Sequence, residues 1–309
     1  MKKKITLSIL MLVMVFTFTL HISAAQYPVT VVDDLNEEVT MEEEPERIIS
    51  LAPSITEMLY SIGLADKIVG VTTYADYPKA ATEKTKIGSV TEPNIEKIVS
   101  LKPDLVIAAG INKKPTLKKI KDLGIKVAGF NPHSIKGTIN SIVKVGRLTG
   151  SDQKARQIAA KMRVQVDEIK DLVDKKLKNK PRPKVFYEIW SDPITTAGKG
   201  TFINDIIRTS GGENIGAKAK GPWPTYSLEK LLVENPDIYI SSPHSAPSSV
   251  TVESIKNRDN YGSLKAVKND RIYIVNQNIV SRPSPRIIKG LKSFVKAIFP
   301  ELAEEVEGI

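Results

Sequence analysis

The chain states one structural unit twice. Asn94–Gly110 reads NIEKIVSLKPDLVIAAG, and Ser227–Pro243 reads SLEKLLVENPDIYISSP. Glu96 and Lys97 return as Glu229 and Lys230, Pro103-Asp104 as Pro236-Asp237, and Ile107 as Ile240. Asn94 and Ser227 are residue types that cap helix N-termini. Ile95, Ile98 and Val99 in one copy, and Leu228, Leu231 and Leu232 in the other, fall at helical spacing. Pro-Asp then stops each helix and turns the chain. The short apolar runs Leu105–Ala109 and Ile238–Ile240 follow and read as buried strands of a parallel sheet. A chain built this way is constrained to two α/β halves, each with a carboxylate in the first turn of a helix. That carboxylate suits the helix dipole with or without a partner.

The segments around the repeats keep the same rhythm. Arg47–Leu51 is a strand, Ile55–Ile62 a helix, Lys67–Thr72 a strand, Pro115–Leu123 a lysine-rich helix and Ile125–Phe130 a strand. Ser54 with Glu57 three residues on has the form of a capping box for the first of these helices. In the second half, Lys184–Ile189 is a strand, Trp190–Gly200 a loop and Phe202–Thr209 a helix. Val252–Asn260 reads as helical, Arg271–Val275 as a strand, Asn276–Pro285 as a loop and Arg286–Phe299 as the final helix. Tyr27–Val32 and the acidic Asp33–Glu46 suit an N-terminal hairpin or arm, and the charge and Pro45 argue against core strands there.

Between the halves, Ile135–Leu148 is helical. A second helix, capped by Ser151 or Asp152, runs without interruption to about Leu177, where Pro181-Arg182-Pro183 forbids continuation. Its apolar stripe is Ala155, Ile158, Ala159, Met162, Val166, Ile169, Leu172 and Val173. At 1.5 Å per residue it spans about 39 Å, the length of a small domain. The expected fold is α/β, two Rossmann-like lobes with central, mainly parallel sheets joined by one long α-helix. The expected division is residues 1–25, 26–134, 135–180 for the linking helices and 181–309. A single helical crossing limits hinge motion, so the cleft between the lobes is expected to be largely preformed.

Residues 1–25 read as a secretory signal. Lys2, Lys3 and Lys4 precede the mostly apolar Ile5–Ile22, and Ser23-Ala24-Ala25 supplies small residues for cleavage. The mature protein is then expected outside the cytoplasmic membrane. The chain has no cysteine, which excludes disulfides, thiolate metal sites, cysteine nucleophiles and a lipid-attachment cysteine. Its net charge of +10 is spread over several helices without interleaved aromatics, so it reads as a solvated surface and not a nucleic-acid footprint.

No catalytic motif stands out: there is no Gly-x-Ser-x-Gly, no Walker loop and no Gly-x-Gly-x-x-Gly after a strand. Beyond residue 25 the only histidines are His133 and His244. His244 follows the strand of the second repeat and is a candidate ligand for a metal carried inside a bound molecule. Exposed-looking aromatics are more informative. Tyr74 and Tyr77 follow a strand, Trp190 follows another, and Trp223 sits between two prolines on a stiff loop. Trp on such a loop suits a platform for a flat, apolar ligand. Arg282 and Arg286 flank Pro283-Ser284-Pro285. Arg282 suits a polar group in a cleft, and Arg286 suits that role or the capping of a core carboxylate.

From Arg47 to Phe299 the chain resembles the periplasmic solute-binding proteins of ABC importers for cobalamin, ferric siderophores and haem. The pieces that carry the likeness are RIISLAPSITEMLYSIGLADKIVGV, YADYP, NIEKIVSLKPDLVIA, SGGENIG, PWPTYSLEKLL and SRPSPRII. Within the class it looks most like the cobalamin binders. The resemblance implies no catalysis and no resident cofactor. It implies a monomer that carries its ligand, a corrinoid by this likeness, between the lobes and delivers it to a dimeric permease. Glu96 and Glu229 would dock into arginines of that permease. Tyr74, Trp223 and Arg282 would contact the ligand. Val90 and Ile194 or Thr195 stand where cobalamin binders place aromatics, and Asn278 lies near a position they keep acidic. Trp190 would replace one of the lost rings. A ferric siderophore or haem is the alternative ligand, and a secreted enzyme on a doubly wound scaffold is the alternative class.

Overall fold

Two sheets of mainly parallel strands stand on either side of one 26-residue helix. The computed structural model describes residues 27–243 and 250–309, so residues 1–25, expected to be a secretory signal, and His244 lie outside the described residues. Strands β1 (Val29–Val32) and β2 (Glu38–Met41) form an antiparallel hairpin; against the expectation it belongs to the core, because Val29, Val31, Val39 and Met41 alternate inward and are buried there. It is tied to the first lobe through Asp33, whose Oδ2 accepts from the Gly129 amide at 2.8 Å.

The first lobe holds β3 (Ile48–Ser50), helix α1 (Pro53–Ser61), β4 (Ile68–Val71), α2 (Ile95–Ser100), β5 (Leu105–Ala109), α3 (Lys114–Asp122) and β6 (Lys126–Phe130). Its sheet runs β4-β3-β5-β6, with every pairing parallel. Then come α4 (Ile135–Leu148) and the long α5 (Asp152–Leu177).

The second lobe holds β7 (Lys184–Ser191), β8 (Ile194–Thr196), α6 (Phe202–Thr209), β9 (Glu213–Asn214), α7 (Leu228–Glu234) and β10 (Ile238–Ser241). It ends with α8 (Val252–Lys256), α9 (Lys265–Lys268), β11 (Ile272–Ile274), α10 (Gln277–Val280), α11 (Ile287–Ile298) and α12 (Ala303–Gly308). Its sheet runs β11-β10-β7, and β8 and β9 share the remaining edge of β7, β8 antiparallel and β9 parallel.

The apolar stripe of α5 is buried as its spacing predicts, from Ala155 through Ala159, Met162, Val166 and Ile169 to Val173. One continuous core includes this stripe, Leu59, Leu105 and Phe130 of the first lobe, and Val185, Ile240 and Phe294 of the second. The far face of each sheet has its own smaller core. Helices α4 and α5 cross closely at Gly146, where an added Cβ would lie 2.2 Å from that of Ala155.

The two repeat units fold alike. Asn94 Oδ1 accepts from the Lys97 amide at 2.8 Å and Ser227 Oγ from the Lys230 amide at 3.2 Å, so both caps form. The Pro-Asp aspartates do more than turn the chain. Asp104 Oδ2 accepts from the Glu46 and Arg47 amides, and Asp237 Oδ2 from the Lys184 amide, so each pins the start of its lobe's first strand.

Several expectations need correction. The capping box at Ser54 does not form: Pro53 opens α1, Ala52 is the N-cap and no side chain caps it. The Glu57 carboxylate is drawn away by arginines of the other lobe. Trp190 is not on a loop, because β7 runs on to Ser191 and pairs Trp190 with Thr195 of β8. The helix after Thr251 stops at Lys256, the segment after Asn276 contains α10, and α11 is followed by α12 beyond Pro300.

Candidate functional site

In open parallel sheets, binding crevices lie beyond the carboxyl ends of the strands. The connection that leaves β4 carries Tyr74-Ala75-Asp76-Tyr77-Pro78 and returns through α2, so this loop and Glu96 share that edge of the first lobe. The loop is anchored by Ala75, which is buried, and by the Thr73 amide, which donates to Gly88 O at 2.9 Å. Tyr74 itself projects, 63% exposed.

In the second lobe the loop ahead of α7 is sewn to β8 on both sides of Trp223. The Gly198 amide donates to Pro222 O at 2.8 Å, the Thr196 amide to Pro224 O at 3.1 Å and the Tyr226 amide to Ile194 O at 2.8 Å. Gly198 is obligatory here, since a Cβ would come within 2.0 Å of Gly221 O. The indole of Trp223 therefore sits on a stiffened ribbon while remaining 53% exposed. With Tyr187, Ile189, Thr195, Ile203 and Ser281 it lines a hollow of about 170 Å³.

Next to Ser281, the lobes meet through charge. Glu57 of α1 has a side chain only 1% exposed. Arg282 Nη1 donates to its Oε1 at 3.1 Å, Arg286 Nε to its Oε2 at 2.9 Å, Ser284 Oγ to its Oε2 at 2.6 Å, and Arg286 Nη2 also reaches Oε1. Arg282 Nη1 donates to Asp76 as well, and Asn278 Nδ2 donates to Asp76 Oδ2 at 3.2 Å. The Arg286 guanidinium lies 3.8 Å from the centroid of the Tyr77 ring. Two acids and two arginines thus close a neutral cluster across the cleft. Burial pushes the Asp76 carboxyl up, but the bond to Arg282 and its charge outweigh this and hold it below the usual carboxylate range. Burial works against the Arg282 guanidinium, and Asp76 and Glu57 reverse it, so its pKa is raised.

Of the residues singled out in the sequence, Arg282 and Asn278 meet at Asp76, and Asp76 lies two residues from Tyr74. Trp223 lines a hollow that reaches Ser281, the residue before Arg282, but not Arg282, Asn278 or Tyr74 themselves. Trp190 is 46% exposed and lines a different hollow, of about 390 Å³, with Glu188 and Arg258. There Glu188 is buried, with Arg258 Nη2 donating to its Oε1 at 3.1 Å and Tyr239 OH bound to Oε2. His133 Nε2 pairs with Asn131 Nδ2 at 3.2 Å, away from this cluster. Glu96 and Glu229 are both exposed in the first turns of α2 and α7. Among the described residues no group of His, Cys, Asp and Glu could hold a metal ion.

Glu57 and Asp76 are the members of this interlobe cluster that sequence reasoning missed. Their only signal was the pair of arginines around Pro283-Ser284-Pro285, which required carboxylates from somewhere. Asn112 was missed too: its Nδ2 donates to Leu51 O at 3.0 Å and Val90 O at 2.7 Å, and its Oδ1 accepts from the Ala109 amide. It fixes the loop that carries Val90.

Comparisons with known proteins agree with this architecture. The family model described as periplasmic binding protein matches residues 48–279. An uncharacterized ABC transporter substrate-binding lipoprotein, YvrC of Bacillus subtilis, is 34% identical, over 90% of this chain and 88% of its own. A cobalamin-binding protein of Halobacterium salinarum is 31% identical, over 89% of this chain and 75% of its own. A solved structure from Staphylococcus epidermidis, described as a possible iron-binding, periplasmic solute-binding protein, is 36% identical. It superposes with a TM-score of 0.72 over 83% of this chain and 100% of that one.

Proposed function

The chain belongs to the periplasmic binding protein family, and from that premise we propose that it captures a corrinoid between its lobes for an ABC importer. As a member it is a substrate-binding component of such an importer and not an enzyme. The cobalamin reading rests on one observation above all: the charges that bridge the lobes are balanced, and Tyr74 and Trp223 are exposed. Glu57 and Asp76 occupy both arginines, so neither is left free for a polyanionic catecholate. Tyr74 and Trp223 offer exposed rings to a large, flat ligand with a neutral periphery. Arg282 and Asn278 supply donors for the amides at its edge. The similarity to the Halobacterium cobalamin-binding protein points the same way.

Glu96 and Glu229 are the docking groups in this reading. Equivalent caps hold them in equivalent helices, as two equivalent basic pockets of a dimeric permease would require. The protein works as a monomer outside the cytoplasmic membrane, delivered there by its signal segment. Among the described residues no helix is long and apolar enough to cross a membrane.

A ferric complex is the second reading, favoured by the similarity to the Staphylococcus protein. Calorimetric titration with cyanocobalamin, a ferric hydroxamate siderophore and haem separates them. Saturable binding of cyanocobalamin alone is expected, and Trp223→Ala should weaken it by about 2 kcal/mol, roughly thirtyfold. No heat with cyanocobalamin and saturable heat with the ferric complex would replace the corrinoid by iron.

A further inference from the structure

The ionic cluster between the lobes has a second side. Beyond Arg286, away from the Trp223 hollow, a cavity of about 470 Å³ opens between α1, α5 and α11. It shares no lining residue with the Trp223 hollow. Its volume lies within the range of about 300–1,000 Å³ typical of small-molecule sites. Tyr60 and Tyr77 give it aromatic walls, and Lys161 of the long helix joins Arg286, Lys289 and Lys292 in its lining. The one acid that lines it is Glu57, whose oxygens are already filled by Arg282, Ser284 and Arg286. Among the described residues no carboxylate comes within ion-pair distance of Lys161, Lys289 or Lys292; Lys292 reaches only the Glu307 carbonyl, at 3.2 Å. The Glu307 carboxylate on α12 feels the charges of Lys289 and Lys292, but it is bound by Lys296.

A concave site with aromatic walls and several unmatched cations from two elements raises the local concentration of anions. The geometry points to a second ligand site here, for a small organic anion with an aromatic or alkyl body and one phosphate, sulfonate or carboxylate group. The apolar body lies against Tyr60 and Tyr77, and the anionic group meets Lys161 and Lys289. Such an occupant touches both lobes and the helix that joins them. The site is independent of what fills the cleft.

The test is calorimetric titration of the mature protein with 1-naphthyl phosphate, with inorganic phosphate as the arm that lacks the apolar body. One saturable site is expected, tighter than for inorganic phosphate and weaker at higher salt. The double variant Lys161→Glu/Lys289→Glu should lose at least about tenfold in affinity, while Lys114→Glu, far along the chain on α3, changes it little. The altered lysines are exposed on helices, so folding is retained, and the milder Lys289→Gln should fall in between. Absence of saturable binding overturns the site. So does binding that ignores the lysines, or binding that saturating cyanocobalamin abolishes in proportion.

Discussion

A carboxylate removed from water costs several kcal/mol unless its oxygens are filled. Glu57 meets that condition only because Arg282, Ser284 and Arg286 come from the other lobe. Glu57→Ala leaves two arginines facing a buried void. It should destabilise the protein by about 3–5 kcal/mol, read as a lower denaturant midpoint. An unchanged midpoint would mean that the cluster is ornamental. Asp76 is half exposed, so its share is smaller, below about 1 kcal/mol. Its sign is set by its depressed pKa. A depressed carboxylate contributes stability that is present above the unfolded value of about 3.9 and lost as pH falls through the folded value. The stability gap between wild type and Asp76→Asn should therefore hold at pH 6 and close below about pH 4. A gap that persists undiminished in acid would contradict the Arg282 assignment. The sequence could show that Arg286 suited a core carboxylate but not which one. Ser54-x-x-Glu57 carries a local meaning, the capping box, that competes with the real one. The true partners lie more than two hundred residues on, and nothing local marks them.

At the scale of elements, legibility follows period and punctuation. The α5 stripe and the repeated strands were readable because their faces are buried in full periods against one core. Short pieces were not: α10 and α12 are four and six residues long, too short to show a periodic face. The extension of β7 through Trp190 was hidden because pairing with β8 is a tertiary fact, and Asp192-Pro193 reads equally as a loop. Gly146 looked like an ordinary helical glycine, a mild liability in its helix. In the structure it is the contact point of α4 with α5, the Cβ of Ala155 filling the space a side chain would need. Gly146→Leu should accordingly lower stability by about 1–3 kcal/mol through overpacking. Gly146→Ala should cost less, and adding Ala155→Gly should recover much of its loss. Thermal melts of the three variants decide this. If Gly146→Leu melts with the wild type, the helices do not cross as closely as the distance states.

At the scale of the whole molecule, the mode of linkage matters more than either lobe. Two lobes joined by flexible strands can unfold one at a time, and chains of this length commonly do. Here the interlobe helix buries its stripe in a core that is continuous from Leu59 and Phe130 to Val185 and Phe294. The Glu57 cluster adds a second tie across the cleft. Opening one lobe would expose the face of α5 that also supports the other, so partial unfolding forfeits burial in both halves. Equilibrium denaturation should therefore be a single transition. Both tryptophans, Trp190 and Trp223, lie in the second lobe, so their fluorescence reports that lobe alone, while far-UV circular dichroism reports both. The two curves should coincide in midpoint and slope. Glu57→Ala should shift them together, because the core still couples the halves after the ionic tie is cut. A fluorescence transition that separates from the dichroism curve in the wild type would show that the long helix merely connects the lobes, and a preformed cleft would then lose its physical basis.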